Sequence, residues 1–438
     1  MTVYQHGNPE WFQKSRFGMF IHWGLYSMGA RHEWLMHNEK LSASDYQKYF
    51  DRFEPDLFDP AAWAAAAKAA GMKYFVITAK HHDGFCMWDT VYSNYKVTNT
   101  PARRDLLREI IDAFRAAGLR VGIYYSLLDW HHPDFVIDNI YGPYRELPEE
   151  ERKEKNKKRD MRRYAQYMRN QVTELLTLYG KIDLIWFDFS YAWYPDTPAD
   201  PEKGKGHCQW ESEALLETVR SLQPDILVND RLDLPGSGDF YTPEQRLPEP
   251  GEAQEQGKPE VWESCQTFSG SWGYFRDELT WKSAGQCIDM LINCVSRGGN
   301  LLMNVGPTAR GAFDSRARER LNDYAEWLAC HSRAIYGCGA APFIAPPDCR
   351  YTYQKERGRL YLHVLNWPCQ SLQLPGLAGK VEYAQFLHDG SEVLFEIPEN
   401  SSNEKCAALT LKLPVQAPVK TVPVIELFLT RPQAEKEV

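Results

Sequence analysis

The stretch DPAAWAAAAKAAGMKYFVIT, residues 59–78, decides the fold because it joins a helix to a buried strand across a single glycine. Asp59 is a favoured N-cap residue, and Pro60 suits the first position of a helix. The Ala-rich segment predicts a helix that ends at Gly71, since glycine commonly follows a helix C-terminus. The apolar run at residues 73–78 has the composition of a strand buried on both faces. The stretch therefore predicts one helix-to-strand unit of a parallel α/β fold.

The same succession recurs through the first three quarters of the chain. Helices are predicted near residues 104–117, 149–180 and 211–222, and an apolar run follows each of them. In total, the sequence offers at least seven strands, at residues 18–21, 73–78, 120–125, 182–187, 225–229, 261–262 and 300–303. This number favours a (β/α)8-like, TIM-type barrel, which we expect to span residues 1–345. No Gly-x-Gly-x-x-Gly and no Walker-type phosphate loop supports a nucleotide-binding fold.

The pattern changes near Pro347. From residue 351 onward, apolar and polar residues alternate in short runs separated by Pro, Gly and Asn, which is typical of antiparallel strands. The runs lie at residues 360–365, 381–387, 409–413 and 422–429. They predict a small C-terminal antiparallel β-sandwich over residues 346–438. Because no aromatic platform is clustered there, we expect the sandwich to support the barrel rather than to bind carbohydrate.

Charge and composition exclude several classes of protein. The 438 residues carry 50 Lys plus Arg against 59 Asp plus Glu, so the net charge is −9. A mildly acidic chain without a dense basic patch binds nucleic acid or an anionic membrane poorly. No run approaches the roughly 18 apolar residues of a membrane span.

Cysteine usage and the N-terminal residues bear on the compartment. The ten Cys form no Cys-x-x-Cys pair and predict free thiols, and residues 1–14 lack an apolar signal core. We therefore expect the chain as given to be cytoplasmic, and the sequence leaves a homo-oligomer open.

Ionisable and aromatic side chains recur where the predicted strands end. In a (β/α)8 barrel, the carboxyl ends of the strands meet on the face that carries the chemistry. The residues concerned are His22, His81, His82, Tyr125, Asp188, Arg231 and Glu263. Neighbouring residues of a regular strand point to opposite faces. Both His81 and His82 can reach one pocket only if the strand is bulged or ends at this point, and we expect one of these two irregularities.

A face rich in carboxylates, histidines and aromatic rings suits hydrolysis of a sugar bond by paired carboxylates. Asp188 is the candidate nucleophile because it follows an apolar strand directly, and nearby His and Arg side chains would keep it ionised. The partner acid should lie on a mobile loop, and the segment at residues 238–260 offers Glu244. Glu263, at the end of a predicted strand, is the other candidate.

The motifs at these strand ends resemble those of the α-L-fucosidases of glycoside hydrolase family 29. The match runs from about residue 10 to 340, through FGMFIHWG (17–24), EW (33–34), KHHDGF (80–85), YYS (124–126), WFD (186–188), NDR (229–231), WESC (262–265) and GNLLMNVGP (299–307). The resemblance implies a (β/α)8-like catalytic barrel followed by a β-sandwich. It also implies exo-acting, retaining hydrolysis of terminal α-L-fucosyl residues from oligosaccharides or glycoconjugates, without a metal or an organic cofactor.

The resemblance assigns roles to individual residues. Asp188 matches the nucleophile, and Glu244, a dozen residues after the NDR motif, is the favoured acid/base. Glu263 is the alternative acid/base, or a residue that orders the pocket from behind its lining. The positions that match those holding the fucosyl unit are His22, Glu33, Trp34, His81, His82, Tyr125, Trp186 and Arg231. These motifs do not specify the linkage (α1,2, α1,3, α1,4 or α1,6) or a need for a branched acceptor.

Two other functions compete with this interpretation. A metal-dependent barrel hydrolase would draw its ligands from His22, His81, His82, His131 and His132. The neighbouring His81 and His82 do not form the His-x-His pair such barrels often show, and no His-Glu-x-x-His occurs. A non-catalytic fucose-binding protein would keep the pocket without the chemistry, and the presence of both Asp188 and Glu244 argues against it.

Overall fold

A computed structural model describes residues 4–191, 200–248, 259–397 and 408–430. Its centre is a curled sheet of seven parallel strands in the order β5-β4-β3-β2-β1-β7-β6. The strands are β1 Phe17–Ile21, β2 Tyr74–Lys80, β3 Arg120–Ser126, β4 Leu184–Asp188, β5 Leu227–Val228, β6 Glu263–Thr267 and β7 Asn300–Val305. The predicted barrel-type parallel fold is confirmed.

An extended segment at residues 239–245 closes the ring between β5 and β6. Parallel bridges join Asn229 to Phe240 on one side, and Glu244 to Cys265 on the other. The Gln245 N–H donates to the Cys265 carbonyl at 3.0 Å. The prediction of a mobile loop here is therefore wrong for residues 239–245, because backbone hydrogen bonds fix them on both sides. Residues 249–258 of the predicted loop lie outside the described part of the chain.

Helices cover the outside of this sheet. Six follow or precede its strands as the predicted repeat requires, and the others lie in the connecting loops. The helices are α1 Glu10–Ser15, α2 Tyr26–Gly29, α3 Leu35–Asn38, α4 Ala43–Phe50, α5 Pro60–Ala69, α6 Leu106–Ala116, α7 Glu149–Asn156, α8 Met161–Leu178, α9 His207–Trp210, α10 Ser212–Leu222, α11 Ala284–Ser296 and α12 Ser315–His331. The Asp59 side chain accepts from the Ala62 N–H, as expected of an N-cap. The long helix predicted over 149–180 is two helices, because Asp160 caps a new start at α8.

Alternate residues of each strand face the ring interior and the helices. On β3, Tyr124 packs inside with Phe20 and Trp186, whereas Tyr125 packs outside among the helices. The interior cluster fills the amino-terminal half of the ring with aromatic and aliphatic side chains. The interior is therefore a packed core that opens only toward the carboxyl ends of the strands.

Two antiparallel sheets follow the barrel. One has the order β11-β14-β9-β8 and the other β10-β13-β12. The strands are β8 Cys349–Gln354, β9 Arg359–Val364, β10 Ser371–Leu374, β11 Val381–Phe386, β12 Phe395–Glu396, β13 Leu409–Lys412 and β14 Val424–Leu429. They share a separate apolar core. The predicted division between residues 345 and 346 lies in the connection from α12 to β8.

Two predictions from composition meet the structure here. In the described ranges, no helix is long and apolar enough to cross a membrane. Nine of the ten Cys lie in those ranges, and all nine are free thiols. Cys406 lies outside them.

Candidate active site

A pocket opens at the carboxyl ends of the barrel strands, and we call it the inner pocket. Its lining combines aromatic rings with polar and ionisable side chains. The lining residues are Phe20, His22, Trp34, His81, His82, Tyr124, Trp186, Asp188, Phe189, Glu244, Cys265 and Trp272. Its floor is the packed interior of the ring, so a ligand enters from one end only.

Asp188 is the last residue of β4, and its carboxylate is fixed from two sides. Oδ2 accepts from the Tyr124 hydroxyl at 2.7 Å, and Oδ1 accepts from Nη1 of Arg231 at 2.6 Å. The side chain is 11% exposed. Phe189 follows with φ of 82°, a left-handed conformation that turns the chain sharply after the carboxylate. The Asp188 carboxylate, oriented by these two hydrogen bonds, is positioned to act as a nucleophile.

Arg231 links the two candidate carboxylates. Its Nη1 donates to Asp188, its Nη2 donates to Glu244 Oε2 at 3.0 Å, and its Nε donates to Thr242 Oγ1 at 3.0 Å. The guanidinium also lies 4.4 Å above the centre of the Trp186 ring. Burial disfavours its charge, but nearby acidic groups, Asp188 foremost and Glu244 among the others, outweigh burial and raise the pKa of Arg231. One rigid cation thus sets the relative positions of both acids.

Glu244 lies on the segment that closes the ring, at the rim of the inner pocket. Its side chain is 45% exposed, against 11% for Asp188. The backbone bridge to Cys265 fixes its main chain. The pair therefore consists of one buried carboxylate and one that reaches solvent.

Glu263 does not lie where the sequence predicted it. It is the first residue of β6 rather than a residue at a strand's carboxyl end, because the strand runs through residues 263–267 instead of 261–262. Its carboxylate accepts from the Tyr74 hydroxyl deep in the ring. Burial raises the pKa of Glu263 to about 8, although Tyr74 and a weak contact with the Trp186 indole lower it. Glu263 does not line the inner pocket, so its geometry does not suit an acid/base.

Two histidines leave β2 together. The pairing of β2 with β3 shifts register between Thr78 and Lys80, and the strand ends at Lys80. The predicted irregularity is confirmed, and the rings of His81 and His82 lie 4.1 Å apart in the inner pocket. Gly84 makes the following turn possible, because a Cβ there would lie 2.1 Å from Asp129 Oδ1.

Hydrogen bonds settle the tautomers of His82 and His22. The Ser126 hydroxyl donates to the Leu128 carbonyl, so it accepts from Nδ1 of His82 at 2.7 Å. Asn304 donates its amide N–H to the Trp272 carbonyl, so its Oδ1 accepts from Nδ1 of His22 at 2.7 Å. Each histidine therefore has an Nε2 that accepts hydrogen bonds.

Burial keeps these rings neutral. It lowers the pKa of His22 to about 3 and that of His82 to about 3. It also lowers the pKa of His81 well below the ordinary value. Neutral imidazoles accept and donate hydrogen bonds, which suits recognition of sugar hydroxyls better than recognition of an anion.

Like Glu263, the predicted site residue Tyr125 does not line the inner pocket. Its hydroxyl donates to Gln171 Oε1 at 2.8 Å among the surrounding helices. Tyr124 lines the pocket in place of Tyr125. The register of β3 with β4 pairs Tyr124 with Trp186 and Ser126 with Asp188, and these residues face the ring interior. Tyr124 and Ser126 are two residues apart on β3 and therefore lie on the same face. This alternation is the sequence signal that identifies Tyr124, rather than Tyr125, as the inner residue.

Glu33 lies behind the pocket rather than in its lining. Its Oε2 accepts from the backbone N–H groups of Trp272 and Gly273, at 3.2 and 2.8 Å. The carboxylate thereby holds the loop that brings Trp272 to the pocket. Trp272 and Phe189 are pocket residues that the sequence analysis missed.

A second cavity of about 590 Å³ adjoins the inner pocket, and we call it the outer cavity. The two share Trp34, Glu244 and Trp272. The outer cavity is lined by His32, Glu33, Trp34, Asn38, Glu244, Gln245, Ser269, Gly270 and Trp272. Glu244 thus lies at the junction of the two spaces.

The metal-site alternative finds no support in the geometry. Within the described residues, no three or more His, Cys, Asp or Glu side chains are grouped so that they could hold a metal ion. His131 stacks on Tyr95 at 3.8 Å, and His132 packs on Tyr167 at 4.1 Å between ring centres. These two rings are packing residues.

Comparisons with known proteins agree with this geometry. The family model for alpha-L-fucosidase matches residues 2–333. Human plasma alpha-L-fucosidase is 29% identical over 392 residues, which cover 82% of this chain and 76% of the human protein. Bovine tissue alpha-L-fucosidase is 31% identical over 394 residues, covering 82% of this chain and 75% of the bovine protein.

Solved structures extend the similarity over nearly the whole chain. Alpha-L-fucosidase isoenzyme 1 from Paenibacillus thiaminolyticus superposes with a TM-score of 0.88 and 43% identity, covering 97% of this chain and 99% of that one. A trapped covalent intermediate of a Bacteroides thetaiotaomicron alpha-L-fucosidase, formed with 2-fluoro-fucosyl fluoride, superposes with a TM-score of 0.82 and 27% identity, covering 98% of each chain.

Proposed function

The chain belongs to the α-L-fucosidase family, and from that premise we propose that Asp188 is the nucleophile and Glu244 the acid/base of its reaction. The enzyme is a retaining α-L-fucosidase. The observation that carries the assignment is the guanidinium of Arg231, which donates to both carboxylates. Retaining glycosidases hold the two carboxyl groups only about 5–5.5 Å apart, and a shared guanidinium favours such a short separation.

In the first step, an Asp188 carboxylate oxygen attacks the anomeric carbon of the fucosyl unit. The bond from that carbon to the leaving oxygen breaks, and protonated Glu244 transfers its proton to this oxygen. Tyr124 and Arg231 orient the attacking group, because each occupies one carboxylate oxygen. The product of this step is a fucosyl ester of Asp188 with inverted configuration.

In the second step, Glu244, now a carboxylate, accepts a proton from water. The water oxygen attacks the anomeric carbon, the ester bond to Asp188 breaks, and fucose leaves with its original configuration. Water can reach Glu244 because nearly half of its side chain is exposed. This second inversion makes the overall reaction retaining.

The inner pocket supplies recognition of the sugar. The Nε2 atoms of His22 and His82 accept from hydroxyl groups, while the rings of Phe20 and Trp186 suit the apolar edge that carries the C5 methyl of L-fucose. The packed floor admits one terminal residue, which supports exo action. Glu263 lies beneath the inner pocket and supports its lining through contacts with Tyr74 and Trp186.

The acid/base assignment is tested with Glu244→Ala against Glu263→Gln as the matched control. Glu244→Ala should lose about 10²–10⁴-fold in kcat/KM on a fucoside with a poor leaving group, and much less on an activated aryl fucoside. Azide should restore turnover and give fucosyl azide of retained configuration. If Glu263→Gln shows this leaving-group pattern and Glu244→Ala does not, the assignment of Glu244 is wrong.

A further inference from the structure

We propose that a groove between the barrel and the sandwich is a binding site for a small organic monocarboxylate. We call it the interdomain groove, and it is lined by Arg16, residues 337–342, Tyr353, Lys355 and Glu356. Arg16 lies directly before β1, so the groove is at the amino-terminal ends of the barrel strands. The inner pocket opens at the opposite end, and the two sites are therefore separate.

Arg16 is a buried cation without a carboxylate partner. The residue is 8% exposed, and its guanidinium forms no ion pair with any described residue. Its Nε donates to the Cys338 carbonyl at 2.6 Å, and its Nη1 donates to the carbonyls of Gly298 and Gly299. Burial lowers the pKa of Arg16 to about 10. Because buried charges in proteins are ordinarily paired, the arrangement favours an added anion.

The free donor of Arg16 lies on the groove. A guanidinium carries one N–H on Nε and two on each Nη. The three carbonyls account for those of Nε and Nη1, so Nη2 has no acceptor within the described ranges, although it is not sealed from solvent. Gly339 lies beside it, since a Cβ there would be 3.2 Å from Nη2. The absence of a side chain at Gly339 leaves room for a ligand oxygen next to Nη2.

A second cation and one carboxylate set the charge of the ligand. Lys355 lies in the turn between β8 and β9, where it is exposed and forms no ion pair in the part of the chain that the structure describes. Together with Arg16, it offers charged donors to the two oxygens of one carboxylate. Glu356 also lines the groove, and its negative charge repels a second negative charge on the ligand. The lining therefore favours a monoanion over a phosphate dianion.

The remaining walls suit an apolar body on the ligand. Ala340, Ala341 and Pro342 supply aliphatic surface, and the half-buried Tyr353 adds an aromatic residue. The volume of about 510 Å³ falls within the roughly 300–1,000 Å³ typical of small-molecule sites. An inorganic ion would fill only a small part of this space. The groove therefore suits a carboxylate carried on a small aromatic or aliphatic group.

The test uses benzoate as the probe and benzamide as the matched control ligand, because benzamide has nearly the same shape without the charge. Calorimetric titration of the unmodified full chain should show one benzoate per chain. Benzoate should bind at least about tenfold more tightly than benzamide, the effect of hydrogen bonds to a charged group. Saturating L-fucose should leave benzoate binding unchanged, because the inner pocket lies at the other end of the ring.

Two variants locate the site without replacing Arg16, whose loss would also remove its bonds to backbone carbonyls. Gly339→Ala places a methyl group beside Nη2 and should weaken benzoate binding by about tenfold or more. Lys355→Ala removes the second cation and should weaken it by about 3- to 10-fold. Lys420→Ala, at an exposed Lys of the sandwich outside the groove, is the matched control and should not change it.

Four results would each overturn the proposal. Benzoate fails to bind the unmodified protein, or benzamide binds as tightly as benzoate. L-Fucose displaces benzoate, which would place the ligand in the inner pocket. Gly339→Ala and Lys355→Ala both bind benzoate as tightly as the unmodified protein, which would place the ligand outside the interdomain groove.

Discussion

Replacing Tyr124 by Phe removes one hydroxyl that bonds the nucleophile, and the neighbouring Tyr125 provides a matched comparison. The Tyr124 hydroxyl donates to Asp188 Oδ2 at 2.7 Å, and burial, together with Asp188, raises its pKa so that it stays protonated. A hydrogen bond to a charged group contributes about 1.5–3 kcal/mol. If that bond acts in the transition state, its loss lowers kcat/KM about 10- to 150-fold.

Tyr125→Phe removes the same atom on the other face of β3. There the hydroxyl donates to Gln171 at 2.8 Å, so the variant leaves a buried amide oxygen unpaired. We expect a loss of about 1–3 kcal/mol in the free energy of unfolding and a change in kcat/KM of less than about threefold. Turnover of an aryl α-L-fucoside and urea denaturation measure the two effects. Equal losses of kcat/KM in both variants, or full activity in Tyr124→Phe, would refute the assignment of faces on β3.

Three further results are expected. Arg231→Lys keeps the charge but loses the planar fork that bridges Asp188 and Glu244, so kcat/KM should fall about 100-fold on every fucoside; near-normal turnover would show that the bridge is dispensable. The pKa of Glu263, near 8 in the folded protein and near 4.5 in a free side chain, makes unfolding release a proton between these pH values. The free energy of unfolding should therefore fall as pH rises from about 5 to 8, by up to about 1.4 kcal/mol per pH unit. Over the same window, Glu263→Gln should become more stable relative to the unmodified protein. Parallel pH profiles of the two proteins would contradict this. Prolonged dialysis against a chelator should leave turnover of an aryl α-L-fucoside unchanged, and a loss that Zn²⁺ reverses would revive the metal-dependent alternative.

The sequence predicted the barrel and most of the inner pocket for one physical reason. Parallel strands buried on both faces are apolar throughout, so the first polar residue after each run marks the carboxyl end of a strand. That rule located His22, His81, His82, Asp188 and Arg231, and the structure brings all five together.

The cytoplasmic location stays a prediction.

The same rule failed where a strand inside the ring is polar. Residues 263–267 have the sequence ESCQT, and all five are buried. Local hydrophobicity placed the strand at residues 261–262 instead, which moved Glu263 to the wrong end of the barrel. Its burial depends on Tyr74, which lies 189 residues away in sequence.

Long-range contacts also decided the features that the sequence did not show. The segment at residues 239–245 resembles a loop in sequence, because its bridges to Asn229, Trp262 and Cys265, rather than its own composition, make it part of the ring. Trp272 reaches the pocket because Glu33, 239 residues earlier, bonds its backbone. Neither contact has a local signal in composition or periodicity.

The central claim is that Asp188 forms a covalent fucosyl intermediate. It is tested most directly by inactivating the enzyme with a 2-fluoro-fucosyl fluoride and locating the added mass by peptide mapping. We predict one label per chain, on the peptide that contains Asp188, and no label on the corresponding peptide of Asp188→Ala. A label on Glu244 or Glu263, or inactivation of the enzyme without any covalent label, would contradict the mechanism.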